Sequence, residues 1–239
     1  MEINKALVFD IWSDYAHFRK IETTTSPLTY SIPTGTALSG LIAAIIGLER
    51  DSYYNLFSKE KARFGIRILN PLKKTRMNIN LIKTDEGFFL RDIRKNHRSP
   101  TPYEMIKNPR YRIYVCLQDE NIYKKLKDCL ENHKSVFTPY LGISEFIANF
   151  EFVGEYNQLK AKKENQSIIH SVLKKKDFKI NIDKLEEQMR WSREIIPVYM
   201  NDERVVEEYS EILFEQNGNP ITVKDCQFYE IGEDNVIFI

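Results

Sequence analysis

A short apolar run near the amino terminus constrains this chain more than any other feature. Residues Ala6 to Trp12 are nearly all apolar, with β-branched and aromatic members. Such a run is typical of a central strand that is buried on both faces. The next apolar block, Thr36 to Leu48, has helical spacing, with Thr34 placed to cap its start and Gly47 near its end. Because this helix is apolar on nearly every side, it should be deeply packed.

Downstream of this helix, strand and helix patterns alternate. Asp119 is placed to cap a second helix. Strands are predicted at Ala62 to Leu69, Lys73 to Leu90, Arg112 to Leu117, and Phe146 to Val153. When the basic segment at about 71–110 is treated as an insertion, the order is βαββαβ, which predicts an α+β, ferredoxin-like (RRM-like) palm. RNA-recognition folds use this order, although a fold alone proves no function.

The insertion and the carboxyl-terminal part complete the predicted organisation. Arg91 to Arg110 contains three prolines and is predicted to be an irregular loop. From about Gln158, short strand-like pieces follow, and Asn217-Gly218 predicts a hairpin turn. We therefore expect a palm with its insertion over residues 1–157 and a small β-rich part over residues 158–239.

Charge is distributed unevenly along the chain. The net charge is only +1, yet Lys59 to Arg112 holds fifteen Lys or Arg and five Asp or Glu, a local charge of +10. The rest of the chain must therefore carry −9. This asymmetry suggests a basic surface for a polyanion on an acidic body, with an ordinary solvated basic face as the alternative.

Several classes of site have no signature in the sequence. There is no Gly-x-Ser-x-Gly elbow and no Gly-Lys-Ser/Thr phosphate loop, and the four His and three Cys lack ligand spacing, so we expect no metal and no cofactor. The longest apolar stretch, Leu38 to Leu48, is far shorter than the roughly 20 residues of a membrane span. With no secretory signal and no disulfide framework either, a reducing cytoplasm is the expected location.

Metal-free RNA cleavage remains open as an alternative to RNA binding alone. Such cleavage needs a general base, a general acid and a cation near the scissile phosphate. Two groups of residues have suitable side chains close in sequence: His17, Lys20 and Tyr30, and Arg94, His97 and Arg98. The same side chains would also suit RNA binding without cleavage.

Two segments resemble a known family. Phe9 to Lys20 reads FDIWSDYAHFRK, and Thr23 to Leu48 reads TTTSPLTYSIPTGTALSGLIAAIIGL. Thr138 to Phe146 reads TPYLGISEF. Together these segments resemble the CRISPR-associated Cas-five family of the RAMP superfamily, especially its type I-B branch, and the resemblance covers roughly residues 5–155.

This resemblance implies a palm, a β-hairpin thumb from the basic insertion, and a subunit of the Cascade surveillance complex. Members hold the 5′ handle of the CRISPR RNA and contact the large subunit and backbone subunits, with target DNA as a possible partner within the complex. One branch also cuts precursor RNA with a Tyr and a Lys-His pair, but no Lys is directly followed by His in this chain. Because a separate ribonuclease cuts RNA in the I-B branch, the expectation is a non-catalytic subunit, with a metal-independent endoribonuclease as the alternative.

We expect the RNA contacts to fall in three places. The first is the segment after the first strand, with Arg19, Lys20, Thr24 and Ser26 on the RNA backbone, or alternatively an ordinary polar loop; Tyr30 either stacks on a base or packs. The second is Tyr140 to Gly142, or alternatively a turn that positions the last palm strand. The third is the thumb, whose expected phosphate contacts are Lys73, Lys74, Arg76, Arg91, Arg94, Lys95 and Arg98. A module that binds only protein partners is a third, separate hypothesis.

Overall fold

The computed structural model describes residues 3–82, 94, 97–175, 179–180 and 189–239, and its elements are mainly strands. The helices are α1 (Gly35–Ile46) and α2 (Glu120–Glu131), with a 3-10 turn at Tyr54–Leu56. The first nine strands are β1 (Lys5–Trp12), β2 (Tyr15–Ala16), β3 (Phe18–Arg19), β4 (Thr29–Tyr30), β5 (Ala62–Ile68), β6 (Lys74–Ile82), β7 (Arg98–Lys107), β8 (Arg110–Leu117) and β9 (Asn149–Asn157). The others are β10 (Ala161–Ile169), β11 (Leu173–Lys174), β12 (Lys179–Ile180), β13 (Trp191–Met200), β14 (Val206–Glu215), β15 (Ile221–Ile231) and β16 (Asp234–Val236).

A four-stranded antiparallel sheet organises the amino-terminal part. Its strand order is β5-β8-β1-β9, with β1 hydrogen-bonded to β8 on one side and β9 on the other. Side chains on β1 alternate between two apolar clusters, so that Leu7 and Phe9 join the cluster with both helices and Ala6 and Val8 join the opposite one. The prediction of a central strand buried on both faces is therefore confirmed.

Both helices begin after their predicted capping residues, and α1 ends beside Gly47, as predicted, two residues before the predicted Leu48. The Thr34 hydroxyl accepts a hydrogen bond from the Ala37 N–H, and Gly47 ends α1 with a left-handed φ of 72°. Asp119 accepts hydrogen bonds from the N–H groups of Asn121 and Ile122 at the start of α2. Most of α1 is buried, which confirms its predicted packing. No described helix has the length and apolar content that crossing a membrane requires.

The inserted segment forms a β-hairpin rather than an irregular loop. Strands β6 and β7 pair from Lys74–Ile106 to Ile82–Arg98. The prediction of an irregular loop over the whole of Arg91 to Arg110 is therefore wrong for residues 98–107. The other neighbour of β7 is the two-residue strand β2, which pairs only with Ile106 and Lys107. Elsewhere this edge of β7 has no strand partner among the described residues, so prolines are tolerated at positions 100 and 102.

The carboxyl-terminal part contributes two further sheets, β10-β15-β12 with β16 on β15, and β11-β14-β13. Asn217-Gly218 turns the chain from β14 to β15, which lie in different sheets, so the predicted hairpin at this turn is wrong. Instead, the buried Glu215 carboxylate accepts hydrogen bonds from the N–H groups of Asn217 and Asn219. Both apolar clusters of the first sheet include residues beyond 157, namely Val172, Ile196, Val198, Tyr199, Ile212, Phe214, Ile231, Val236, Phe238 and Ile239.

Two buried carboxylates and the arginines around them lie at the first sheet, and we call this group the inner ion cluster. It comprises Asp10, Asp234, Arg67, Arg110 and Arg112. Arg112 Nε donates to Asp10 at 2.8 Å, and Arg110 donates to the same carboxylate at 3.1 Å. Asp234 accepts from Arg67 and from the Tyr114 hydroxyl. The cluster thus joins β1, β5 and β8 to β16.

The α+β class predicted from the sequence is confirmed. The division at residue 157 stays a prediction, because side chains from both sides of that position share the apolar clusters described above.

Candidate functional site

Two adjoining cavities lie beside the start of α1. The larger, about 310 Å³, is lined by His17, Arg19, Thr34, Thr36, Tyr54 and Met200 among others. The smaller, about 220 Å³, shares Thr36, Ala37, Tyr53 and Gly142 with the first and adds Tyr140. The walls therefore combine β3, the first turn of α1, the segment around the 3-10 turn, and β13.

His17 is held in one tautomer at the larger cavity. Its side chain is buried, and Nδ1 lies 2.7 Å from the main-chain oxygen of Glu104. Because a carbonyl oxygen only accepts, Nδ1 carries the proton and Nε2 keeps a free lone pair. Nε2 is itself buried and has no hydrogen-bond partner among the described residues. Burial lowers the pKa of His17 below its ordinary value, so the ring is a neutral base near pH 7.

Two tyrosines, Tyr53 and Tyr54, line the same cavity, and the Tyr54 hydroxyl donates to Asp51 at 2.6 Å. Burial raises the pKa of Tyr53, and burial with a hydrogen bond to Asp51 raises the pKa of Tyr54 to about 12. Both hydroxyls therefore keep their protons at neutral pH. Asp51 also accepts two hydrogen bonds from one Arg204 amine, at 2.7 and 2.8 Å, which ties the loop after β13 to this wall.

The start of α1 gives the cavity a local preference for anions. The hydroxyls of Thr34 and Thr36 lie 2.9 Å apart, and the first turn of the helix contains no acidic residue. The unpaired N–H groups and dipole of a helix start favour negative charge. Arg19, which lines the same cavity, adds a guanidinium.

A second set of charges lies at the base of the hairpin, and we call it the hairpin-base cluster. It comprises Lys20, Lys74, Glu104 and Glu194. The Glu194 carboxylate lies 3.8 Å from Lys20 Nζ and 3.6 Å from Lys74 Nζ, and accepts from the Ser31 N–H and hydroxyl at 2.8 Å each. Lys74 also lies 3.3 Å from Glu104. This cluster therefore joins the hairpin, the segment before α1, and β13.

The amino-terminal residues predicted to bind RNA have different surroundings. Arg19 is exposed and donates to the Thr23 carbonyl at 3.1 Å, and Thr24 and Ser26 are exposed. Lys20 is in the hairpin-base cluster. Tyr30 is 4% exposed with Lys20 above its ring at 5.2 Å, so the ring packs here and offers no free face for stacking.

The remaining predicted residues lie on the second cavity and on the hairpin. Tyr140 and Gly142 line the smaller cavity and are exposed. Exposed basic residues at and beyond the hairpin base are Lys73, Arg76, Arg94 and Arg98. Arg91 and Lys95 lie outside the described residues.

Several members of this site could not be recognised from the sequence. Glu194 reaches Ser31 across 163 residues, and Glu104 reaches Thr29 across 75. Tyr53 and Tyr54 are ordinary aromatic residues in sequence, and only their place in the fold brings them to the cavity. Among the described residues, no three His, Cys, Asp or Glu side chains group as a metal site would require.

Comparisons with known proteins agree on one family. A family model described as CRISPR-associated protein (Cas_Cas5) matches residues 6–215. The chain is 28% identical over 149 residues, 59% of its length, to a Thermus thermophilus protein named CRISPR pre-crRNA endoribonuclease Cas5d. The match spans 61% of that relative.

Solved structures share the fold at low identity. A CRISPR protein from Archaeoglobus fulgidus has a TM-score of 0.59 at 14% identity, covering 97% of this chain and 98% of its own. A chain of a structure titled CRISPR RNA-guided surveillance complex has a TM-score of 0.52 at 12% identity, covering 91% of each chain.

The activity in the name of the Thermus thermophilus relative corrects one expectation. The lack of a Lys-His pair and the resemblance to the I-B branch, in which a separate ribonuclease cuts the RNA, led to the prediction that the chain is not an enzyme. The relative, however, is named as an endoribonuclease, and this finding contradicts that prediction. The absence of one short motif was too narrow a basis, because a base, an acid and a cation can come from residues distant in sequence.

Proposed function

Because the chain belongs to the CRISPR-associated Cas5 family, we propose that it binds CRISPR RNA in a surveillance complex and cleaves the precursor of that RNA. The observation that carries the proposal is the neutral His17 ring, held through Nδ1 beside a cavity that favours anions. The name of the Thermus thermophilus relative supports the reaction. The large and backbone subunits of the complex, with target DNA bound there, are the proposed neighbours.

The proposed cleavage needs only groups present at the larger cavity. The 2′-hydroxyl before the cut loses its proton to His17 Nε2 and attacks phosphorus, and the bond from phosphorus to the 5′-oxygen breaks. The leaving 5′-oxygen takes a proton from a tyrosine hydroxyl, so the products end in a 2′,3′-cyclic phosphate and a 5′-hydroxyl. Arg19 and the start of α1 stabilise the charge on the phosphate. Because Nε2 is buried, the cavity wall beside it must shift when RNA binds.

Incubation of the purified protein with a CRISPR-repeat RNA in excess chelator tests this reaction. We expect discrete cleavage, and we expect His17→Asn to slow it by about 10²- to 10⁴-fold, the usual contribution of a general base. Asn can keep the hydrogen bond to the Glu104 carbonyl but cannot take up the proton. The matched control is His133→Asn, since His133 is exposed with a φ of 49° that Asn tolerates. Intact RNA with the wild-type chain would overturn the proposal.

The hairpin is proposed to guide the RNA backbone to this cavity. Lys74, Arg76 and Ile82 lie on one face of β6 by strand alternation, and Arg98 pairs opposite Ile82 on that same face. The double variant Arg76→Glu and Arg98→Glu should weaken RNA binding and lower its salt dependence by about 0.7 for each phosphate that the hairpin no longer binds. The same substitutions should leave the unfolding temperature nearly unchanged, because both side chains are exposed.

We also propose that the sheet β5-β8-β1-β9 with α1 and α2 is the ferredoxin-like palm. The chain order β1, α1, β5, β8, α2, β9 supports this assignment. The amino-terminal segments favour type I-B, whereas the name of the relative favours a branch that processes its own RNA. The chelator experiment also separates these subtypes, since self-processing is not expected of a I-B subunit.

A further inference from the structure

The Glu194 carboxylate occupies a set of donors that would suit a phosphate group. Two ammonium groups, one main-chain N–H and one hydroxyl converge on it, from Lys20, Lys74 and Ser31. Donors of these types bind phosphate oxygens in nucleic-acid complexes as readily as they bind carboxylates. We propose that these residues form a phosphodiester-binding site that Glu194 fills in this structure and that an RNA phosphate takes over when RNA binds.

The ion pairs to Glu194 are of a kind that can exchange. Its distances to the two Nζ atoms, 3.6 and 3.8 Å, exceed the 2.7–2.9 Å of a short charge-assisted hydrogen bond. Glu194 lies on the carboxyl-terminal strand β13, and its flexible side chain can turn away without moving the donors. A phosphate can therefore replace the carboxylate without rebuilding the site.

The cations would stay in place after Glu194 moved. Lys74 Nζ donates to the Thr29 carbonyl at 2.9 Å and lies 3.3 Å from Glu104. Lys20 Nζ lies over the Tyr30 ring. Each ammonium thus has a second contact that holds it, and so the donors are arranged in advance for an anion.

The position of the site relates it to the proposed cleavage. Glu104 holds His17 through its main-chain oxygen and Lys74 through its carboxylate. A phosphate bound by Lys20 and Lys74 would therefore be linked to His17 through Glu104. That the anion belongs to RNA rests on the proposed function, whereas the exchange with Glu194 is a separate claim.

The test measures binding of a fluorescent single-stranded CRISPR-repeat RNA by anisotropy in chelator. All chains carry His17→Asn so that the probe stays intact. Adding Glu194→Gln keeps an acceptor for the Ser31 N–H but removes the charge, and should tighten binding about fivefold. The salt dependence should rise by about 0.7, the value for one more phosphate contact on single-stranded RNA.

The matched control is Glu230→Gln, which removes the same charge from an ion pair with Lys162 on the β10–β15 sheet. It should change the affinity much less than Glu194→Gln does. Adding Lys20→Ala to Glu194→Gln should abolish the gain. An equal gain with Glu230→Gln, or a gain that survives Lys20→Ala, would overturn the inference.

Two further outcomes are distinguishable. If the chain that carries His17→Asn alone, the reference chain, binds no RNA, the proposed function and the inference both fail. RNA binding without any gain in the Glu194→Gln chain overturns the inference alone. If the Glu194→Gln chain does not fold, Lys20→Ala is added to the reference chain in its place. Lys20→Ala should then weaken binding about fivefold compared with Lys162→Ala, and equal affinities for those two variants would contradict the inference.

Discussion

The inner ion cluster and the hairpin-base cluster contain similar charges in different settings. Both pair two carboxylates with cations from distant parts of the chain. The inner carboxylates are 4% exposed and are bound by guanidinium groups, with Arg112 Nε 2.8 Å from Asp10. The hairpin-base carboxylates are 11–17% exposed and lie 3.3–3.8 Å from ammonium groups. The two clusters thus differ in the burial of their carboxylates and in donor geometry, and the exchange of an anion is proposed only for the second.

The largest effect is expected from the inner cluster. Asp234→Asn removes the charge that balances Arg67 and Arg112 and weakens the acceptor of the Tyr114 hydroxyl. Removing one partner of a buried ion pair costs about 3–5 kcal/mol, and because Arg67 and Arg112 are 26–27% exposed, this site falls at the lower end of that range. We expect a decrease of this size in the free energy of unfolding, measured with urea.

The comparison is sharpened by Glu194→Gln in the same assay. At the partly exposed hairpin-base cluster, that substitution should cost less than about 1 kcal/mol. Equal decreases from Asp234→Asn and Glu194→Gln would show that the two clusters do not differ in their structural role.

The next largest decrease in stability is expected from a substitution at Gly142, beside the larger cavity. Gly142 has a φ of +94°, and a Cβ there would lie 1.9 Å from the main-chain oxygen of His17. Gly142→Ala therefore combines backbone strain with a clash, and should lower the free energy of unfolding by about 2–3 kcal/mol. It should also slow RNA cleavage, because the main chain at His17 must move to relieve the clash and the ring moves with it. Gly154→Ala is the control, since a Cβ there meets only the Tyr156 ring at 3.3 Å.

Sequence patterns predicted those parts of the fold that local chemistry decides. The caps Thr34 and Asp119, the buried run of β1 and the basic insertion all follow from short-range signals. The pairing of β7 could not be predicted from residue patterns, because its prolines indicate a loop unless the free edge of the strand is known; only the family resemblance implied a hairpin there. The turn at Asn217-Gly218 has hairpin chemistry, but its two flanking strands enter different sheets.

The candidate site was predictable only in part. Lys20, Lys74 and His17 were named for suitable chemistry; the structure joins His17 to Lys74 through Glu104, and Lys74 to Lys20 through Glu194. Glu194 could not be found, because a lone glutamate on a strand carries no signal of a partner 163 residues away. The basic count also could not show that four of its members, Arg67, Lys74, Arg110 and Arg112, are already paired with carboxylates.

Acid should lower the stability of the folded chain through two histidines, one at the larger cavity and one near the inner ion cluster. Burial lowers the pKa of His17 at the cavity and of His170 near Asp234 below the ordinary 6.5. Below pH 6.5 the unfolded chain therefore binds more protons than the folded chain. The stability that comes from keeping both rings neutral is complete above pH 6.5 and is lost as the pH falls towards the folded-state pKa values. Unfolding temperatures between pH 5 and 8 should vary less in His17→Asn and in His170→Asn.

The same titration makes a prediction for cleavage. If His17 is the base, the rate should rise with pH and level off above a midpoint lower than 6.5. A midpoint at or above 6.5 would contradict the role of a desolvated His17. His133→Asn, at an exposed histidine, should leave both the stability curve and the rate curve unchanged.

The smallest effect is expected where an ion pair is exposed on the cavity wall. Arg204 pairs with Asp51 at 2.7 Å, and Asp51 in turn accepts from the Tyr54 hydroxyl at 2.6 Å. Because exposed ion pairs contribute little to stability, Arg204→Lys should lower stability only slightly while losing the two-point interaction with the carboxylate. Arg193→Lys, whose partner Glu211 lies in the β13–β14 ladder, is the matched control. A lower cleavage rate in Arg204→Lys alone would show that the loop after β13 positions Tyr54, whereas equal rates would leave this pair a purely local contact, unlike either ion cluster.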